Sequence, residues 1–252
     1  MIEIHPLTAI DEVRPCMDLA TILAAALATA GLNPLTACDV LMVTQKIVSK
    51  AEGRFVDLAE VTPGQEALRL AAVTGKDARL VELVLAESRA VIRAAPNVLI
   101  TRHRSGHVMA NAGIDRSNLG AGSADRVLLL PVDADASAAR LRQSLIPGAG
   151  DGFGLVISDS FGRPWRNGVV NVAIGASGVA ALIDRRGEPD RDGRALEITQ
   201  VAFADMLASA AGLATGEGAE GVPAALIRGV SWPPDFNPAA ALLRPAELDL
   251  FQ

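Results

Sequence analysis

Tyrosine is missing from this 252-residue chain, and aromatics together make up only 3% of it. The core must therefore be aliphatic, and the 50% apolar content, largely Ala, Leu, Val and Ile, is enough to build a sizeable one. Cysteine is nearly absent. Cys16 and Cys38 form no C-x-x-C pair, which argues against a cysteine-built zinc site and points to a reducing compartment. Positive charge is in deficit: the formal net charge of -6 speaks against a nucleic-acid scaffold, which would show a basic face. The opening "MIEIHPLTAI" has no basic n-region and no long apolar run, so no signal peptide is expected. The apolar stretch "LATILAAALATAGL" is too short to cross a bilayer and reads as a buried helix. The expectation is a cytoplasmic protein with small-molecule partners, no nucleic acid and no membrane. Three catalytic signatures are also missing: the P-loop G-x-x-x-x-G-K-[ST], the nucleophile elbow G-x-S-x-G and the zinc-protease H-E-x-x-H.

What is present mixes helices and strands without a strict β-α-β rhythm, so the fold class expected is α+β. "IEIHPL" alternates as a strand, and Asp18 precedes a helix that stops near Gly31 and Asn33-Pro34. "DVLMVTQKIVSK" reads as an apolar strand that turns polar. "DARLVELVLAESRAVIRAA" has apolar residues at helical spacing, with Asp77 as cap and Pro96 as stop. "NVLITRHRSGHVMANAGID" suggests two strands joined at Ser105-Gly106, with His103 and His107 as strand-end surface residues. "RVLLLPV" is a short buried strand, and "SAARLRQSLI" a short helix ended by Pro147-Gly148. "GFGLVISDSFGRPWRNG" begins as a strand and breaks into a loop. An Ala-rich helix, a glycine loop and the strand "VPAALIRGV" follow. No repeat or linker divides residues 1–252, which read as one catalytic domain or two α+β subdomains sharing a core.

The glycine loop "GEGAEG" fits the dinucleotide fingerprint G-x-G-x-x-G letter for letter. Its context is reversed, since a helix precedes it and a strand follows, and Glu217 would repel a pyrophosphate. The dinucleotide reading is therefore rejected, which leaves an acid in a glycine loop to be explained. Two further loop acids follow apolar runs: Asp115 in "NAGIDRSN" and Asp159, next to Ser160, in "ISDSFGRPWRNG". Taken singly, each reads as a turn or cap. Together the three carboxylates and a hydroxyl form a hard oxygen set that suits magnesium or manganese rather than zinc. Arg163 and Arg166 suggest anion binding, and Lys46 and Lys50 could meet a triphosphate.

These motifs converge. "DVLMVTQKIVSKAEGR", "ANAGIDRSN", "SDSFGRPWRNGVVNVAIGASGV" and "GEGAEGVPAALIRG" resemble the GTP-dependent γ-glutamyl ligase family of the deazaflavin coenzyme F-420. The likeness runs in order from "IEIHPL" to about Trp232. It implies a ligase-specific α+β fold, an intertwined homodimer, and a nucleotide groove near the subunit interface. It implies one divalent ion on Asp115 and Asp159 and a second on Ser160 and Glu217, magnesium or manganese, with potassium as a further cation. It also implies GTP contacts from Gln45, Lys46, Lys50 and Asn118. The loop of Thr215, Gly216, Glu217, Gly218, Ala219, Glu220, Gly221 and Val222 would contact GTP as well. On that reading a cation bridges Glu217 to the triphosphate. Lys50, Arg163 and Arg166 become the catalytic candidates, the arginines holding acidic substrates.

Two departures stand out. Asp11 and Cys16 occupy positions where the family often has Pro and Gly, which leaves the contacts of Thr8 to Asp11 unassigned. Some relatives also carry a second, reductase-like domain, which is not expected here. The activity implied is addition of L-glutamate through γ-linked amides to the deazaflavin precursor, by way of an acyl phosphate. The same motifs would serve a sibling ligase acting on another carboxylate cofactor such as a pterin, or a non-catalytic GTP-binding relative.

Overall fold

Apolar runs that are hydrophobic on both sides of the strand build a sheet covered on both faces. The computed structural model describes residues 1–120, 125–149 and 152–249. Strand β1 (Glu3–Pro6) leads to helix α1 (Leu19–Thr29), which Asp18 caps by accepting from the amides of Ala20 and Thr21. Strand β2 (Asp39–Thr44) is buried at five of its six residues, and the chain passes straight into α2 (Gln45–Ala51). Next come β3 (Phe55–Asp57), α3 (Gln65–Thr74) and α4 (Ala78–Ala86). Strands β4 (Ser88–Ala95), β5 (Val98–His103) and β6 (Val108–Ala110) form a small antiparallel sheet, and β7 (Arg126–Leu128) pairs back with β3. Helix α5 (Ala134–Ala149) precedes a long ribbon, β8 (Gly154–Arg163) and β9 (Arg166–Ser177). The chain continues through β10 (Leu182–Asp184), β11 (Gln200–Ala202), α6 (Phe203–Thr215) and β12 (Ala224–Arg228). The architecture is α+β, as the sequence led us to expect.

The main sheet has the order β1-β12-β2-β8-β9, parallel only between β2 and β8. Its strands alternate between two cores. Leu41, Val43, Leu155 and Ile157 face α1, α2 and α5. Val40, Met42, Val156, Ala225 and Ile227 face α6. A third cluster, with Leu58, Leu70, Val81, Val84, Leu99 and Val127, lies between α3, α4 and the small sheets.

Four expectations are corrected. "QKIVSK" is not a polar strand end but helix α2. Its period puts Ile47 and Val48 in the core while Lys46 and Lys50, four apart, share another face. "DARLVELVLAESRAVIRAA" is a helix only to Ala86, and the β-branched stretch around Val91 and Ile92 continues as β4. "SDSFGRPWRNG" is a β-ribbon rather than a loop. Arg163 pairs with Arg166 across a two-residue turn in which Pro164 precedes Trp165 at φ 64°. Helix α5 begins earlier than expected and extends past Pro147.

The ribbon carries one irregularity. Ile157 pairs with Gly175 but Ser158 pairs with Ala173, so Ile174 is an extra residue on β9. Gly175 lies there against the start of α5: a Cβ built on it would sit 2.3 Å from the Ala134 carbonyl oxygen, a backbone atom. At Gly162, by contrast, an added Cβ meets nothing within 4 Å. Gly175→Ala is expected to destabilise the protein by roughly 1–3 kcal/mol through overpacking, and Gly162→Ala to leave the melting temperature almost unchanged. Thermal melts of the two variants check this pair.

Candidate active site

Three strands bring their loops to one end of the main sheet. Strands β2 and β8 are parallel, with Thr44 opposite Ser158, so their carboxyl ends lie side by side. Strand β12 is antiparallel to β2, and the loop before it arrives at the same end, where the Thr44 amide donates to the Pro223 carbonyl at 2.9 Å. A cleft of about 900 Å³ opens there. It is lined by Gln45, Lys46 and Lys50 of α2, Asp115, Ser117 and Asn118, Asp159 and Ser160 at the end of β8, Asn171 of β9, and Thr215 through Pro223. Of the candidate residues, only Arg163 and Arg166 lie outside it. The ribbon carries them beyond the sheet, and Arg163 Nη2 donates to the Asn167 carbonyl at 3.3 Å beside the turn.

Side-chain alternation divides the cleft. Asp159, two residues beyond Ile157, faces the α2 layer, where the Gln45 Oε1 accepts from Ser49 Oγ at 2.9 Å. Ser160, one residue on, faces the α6 layer and donates to the Glu217 carboxylate. The other Glu217 oxygen accepts from Asn171 Nδ2 at 2.7 Å. The second acid of the glycine loop, Glu220, folds back to accept from the Gly218 amide at 2.7 Å.

Both cleft lysines are already paired. Lys46 Nζ lies 2.7 Å from Asp115 and also reaches Ser117. Lys50 is only 4% exposed, and its Nζ donates to Glu12 and to the Asn118 carbonyl. The Asn118 amide bridges to the Gly218 carbonyl at 3.2 Å, tying two walls of the cleft together. The lysines therefore belong to a helix lining the cleft, not to a solvated loop.

The acids differ in electrostatic state. Burial pushes the Asp159 carboxyl up from 3.8 to about 7, and the neighbouring charge of Asp115 adds to the effect. Burial works in the same direction on Asp115, but Lys46 and Ser117 outweigh it and hold that carboxyl below its ordinary range. Asp159 thus receives too little positive charge from the protein to offset its burial. Among the described residues no three His, Cys, Asp or Glu side chains converge on one point. A divalent ion would complete its shell with water and phosphate oxygens, which is the habit of magnesium. The donor set fits such an ion.

One expectation about the surroundings changes. His103 and His107 are not surface residues, being 3% and 9% exposed. The Nδ1 atoms of both lie 2.8 Å from Ser105 Oγ, and His107 meets Phe161 of the ribbon edge-on at 5.9 Å. Burial, with His103 adding to it, pushes His107 down to about 4, so its ring is neutral at physiological pH. Glu12 and Asn171 did not figure among the candidates. Glu12 lies in the segment "AIDEV", which departs from the sequence that the family often has there. Asn171 could have been noticed as the single amide within the apolar run "VVNVAIG". In the same N-terminal segment Asp11 lines the cleft, and Cys16 takes φ 66°, a conformation that favours glycine.

Residues 8–229 match the family described as F420-0:Gamma-glutamyl ligase. The chain is similar to the coenzyme F420:L-glutamate ligase of Methanopyrus kandleri, at 43% identity over 257 residues, covering 100% of this chain and 98% of that protein. It is 44% identical over 237 residues to the protein of that name from Methanothermobacter thermautotrophicus, covering 93% and 92%. The corresponding Halobacterium salinarum protein is 47% identical over 200 residues, covering 77% and 76%.

Because the Asp159 pKa is raised on folding, its ionisation opposes the folded state. The penalty is absent below about pH 3.8 and grows until the pH passes about 7. Asp159→Asn should therefore raise the melting temperature of the metal-free protein at pH 8. The gain should shrink toward pH 5 by on the order of 2 kcal/mol. A gain independent of pH would remove the electrostatic account.

Proposed function

The chain belongs to the F420-0:gamma-glutamyl ligase family, and from that membership we propose that it joins L-glutamate to the carboxylate of a deazaflavin coenzyme, using GTP. The observation that carries this reading is the convergence, in one cleft of about 900 Å³, of two lysines, a glycine loop and acids on both sides of a strand end. A triphosphate needs cations and backbone amides, and the cleft offers both. In this proposal Lys46, Lys50, Gln45, Asn118 and the loop from Thr215 to Val222 contact the nucleotide.

The carboxylate is a poor acyl donor and has to be activated. A carboxylate oxygen attacks the γ-phosphorus in line, the bond to the bridging oxygen breaks, and GDP leaves. The glutamate amine then attacks the acyl carbon and phosphate departs, leaving an amide. Lys50 lies on α2 where it can exchange its Glu12 partner for a phosphate oxygen. Asp115 and Asp159 would hold one divalent ion, and Ser160 and Glu217 a second. Such ions supply neutralisation of phosphate charge. The neutral donors on Glu217 leave its negative charge uncompensated by the protein.

A homodimer is part of the same proposal. It is supported by apolar residues in solvent on the ribbon and on α6: Trp165 and Leu213 are each 87% exposed, and Val169 49%. A partner covering the ribbon would also meet Arg163 and Arg166, giving these arginines a place beside a substrate groove.

Purified protein incubated with GTP, manganese, L-glutamate and the deazaflavin precursor should yield a product heavier by one or more glutamyl residues in mass spectrometry. No product should form when GTP is omitted. Product formation with ATP alone would overturn the nucleotide assignment. Lys50→Met is expected to weaken GTP binding by roughly 1.5–3 kcal/mol, the worth of a charge-assisted contact, and to affect the KM for glutamate far less. Nucleotide titrations of the variant against the wild type measure this.

A further inference from the structure

Glu217 is an exposed acid in a glycine loop, and it has a buried partner. Asn171 is 5% exposed, lies opposite Ser160 in the ribbon, and donates from Nδ2 to Glu217 Oε1 at 2.7 Å. A carboxylate only accepts, so it is the amide nitrogen, not the oxygen, that faces it. Asn171 is itself fixed on two sides. Its backbone carbonyl accepts from Ser209 Oγ of α6 at 2.8 Å. Its amide packs against Gly212, where a Cβ would stand 2.6 Å from Nδ2.

We propose that Asn171 is a positioning residue that sets the rotamer of Glu217 for a divalent cation, with Gly212 giving it room. The inference rests on the reading of Glu217 as a cation ligand. A glutamate free to rotate gives up side-chain entropy on binding an ion, and a prior hydrogen bond from a rigid strand removes part of that loss. The donor suits the task because it is neutral. A lysine or arginine there would neutralise the charge that draws the cation. Each carboxylate oxygen also has two lone pairs, so an oxygen that accepts from Asn171 or Ser160 can still meet an ion.

The test is a double-mutant cycle read by manganese binding. Loss of the free-ion electron paramagnetic resonance signal is followed in the presence of a non-hydrolysable GTP analogue. Asn171→Leu should weaken manganese binding about tenfold. Gly212→Ala, which displaces the amide without removing it, should act in the same direction. In steady-state assays the manganese requirement should rise while kcat at saturating manganese stays within about threefold. In a Glu217→Gln background, Asn171→Leu should have no further effect on manganese binding. An Asn171→Leu effect that persists in full in that background would overturn the proposal, because Asn171 would then act independently of Glu217. So would unchanged binding in Asn171→Leu when Glu217→Gln alone weakens it. If Glu217→Gln itself leaves manganese binding unchanged, the reading of Glu217 as a ligand fails first, and the positioning role goes with it.

Discussion

The site depends on the alternation of side chains at the end of one strand. Strand β8 runs between two cores, so Leu155 and Ile157 face one layer and Val156 the other. The same period continues past the buried segment into Asp159 and Ser160. An acid and a hydroxyl that are neighbours in sequence are thereby presented to opposite sides. Asp159 reaches Gln45 and the charge of Asp115, while Ser160 reaches Glu217. One residue of slip would exchange these partners. The pairing of β8 with β2 in the core on one edge, and with β9 on the other, prevents the slip.

Electrostatics explains why such a site is tolerable without a ligand. The cleft gathers Glu12, Asp115, Asp159 and Glu217 around two lysines. Lys46 is taken by Asp115 and Lys50 by Glu12, and Glu217 is held by neutral donors. Among the described residues neither Asp159 nor Glu217 forms an ion pair, and burial pushes the Asp159 carboxyl up to about 7. On the proposed function such a cleft would exchange internal pairs for ligand pairs. Phosphate oxygens would replace carboxylates on the lysines, and the displaced carboxylates would become available to cations. The net electrostatic change on binding is then smaller than a count of contacts would suggest.

Much of this was legible in the sequence because the motifs are contiguous. The acids of "NAGIDRSN", "ISDSFG" and "GEGAEG" lie in short segments, and each segment enters the cleft as a unit. The α+β class followed from the mixture of periods. The misread elements were those whose character depends on what they pack against. "QKIVSK" is too short for its helical period to stand out from a strand, and only the end of the sheet at Thr44 makes it a helix. The outer ribbon reads as a loop because Gly162, Pro164 and Gly168 punctuate it and most of its other residues are polar. Their pairing with each other, which composition does not reveal, makes them strands. Glu12 and Asn171 were missed for a related reason. Their partners, Lys50 and Glu217, are 38 and 46 residues away in sequence.

The buried histidines show how a region outside the cleft contributes to it. Phe161 follows Ser160 and stands on the same side of the ribbon as Asp159. His107 meets its ring edge-on at 5.9 Å. The small sheet thus packs against the ribbon at Phe161, two residues beyond Asp159. A charged imidazolium against Phe161 would add positive charge beside the acids of the cleft. Burial prevents this: by pushing His107 down to about 4, it lets the ring pack as a neutral wedge at physiological pH.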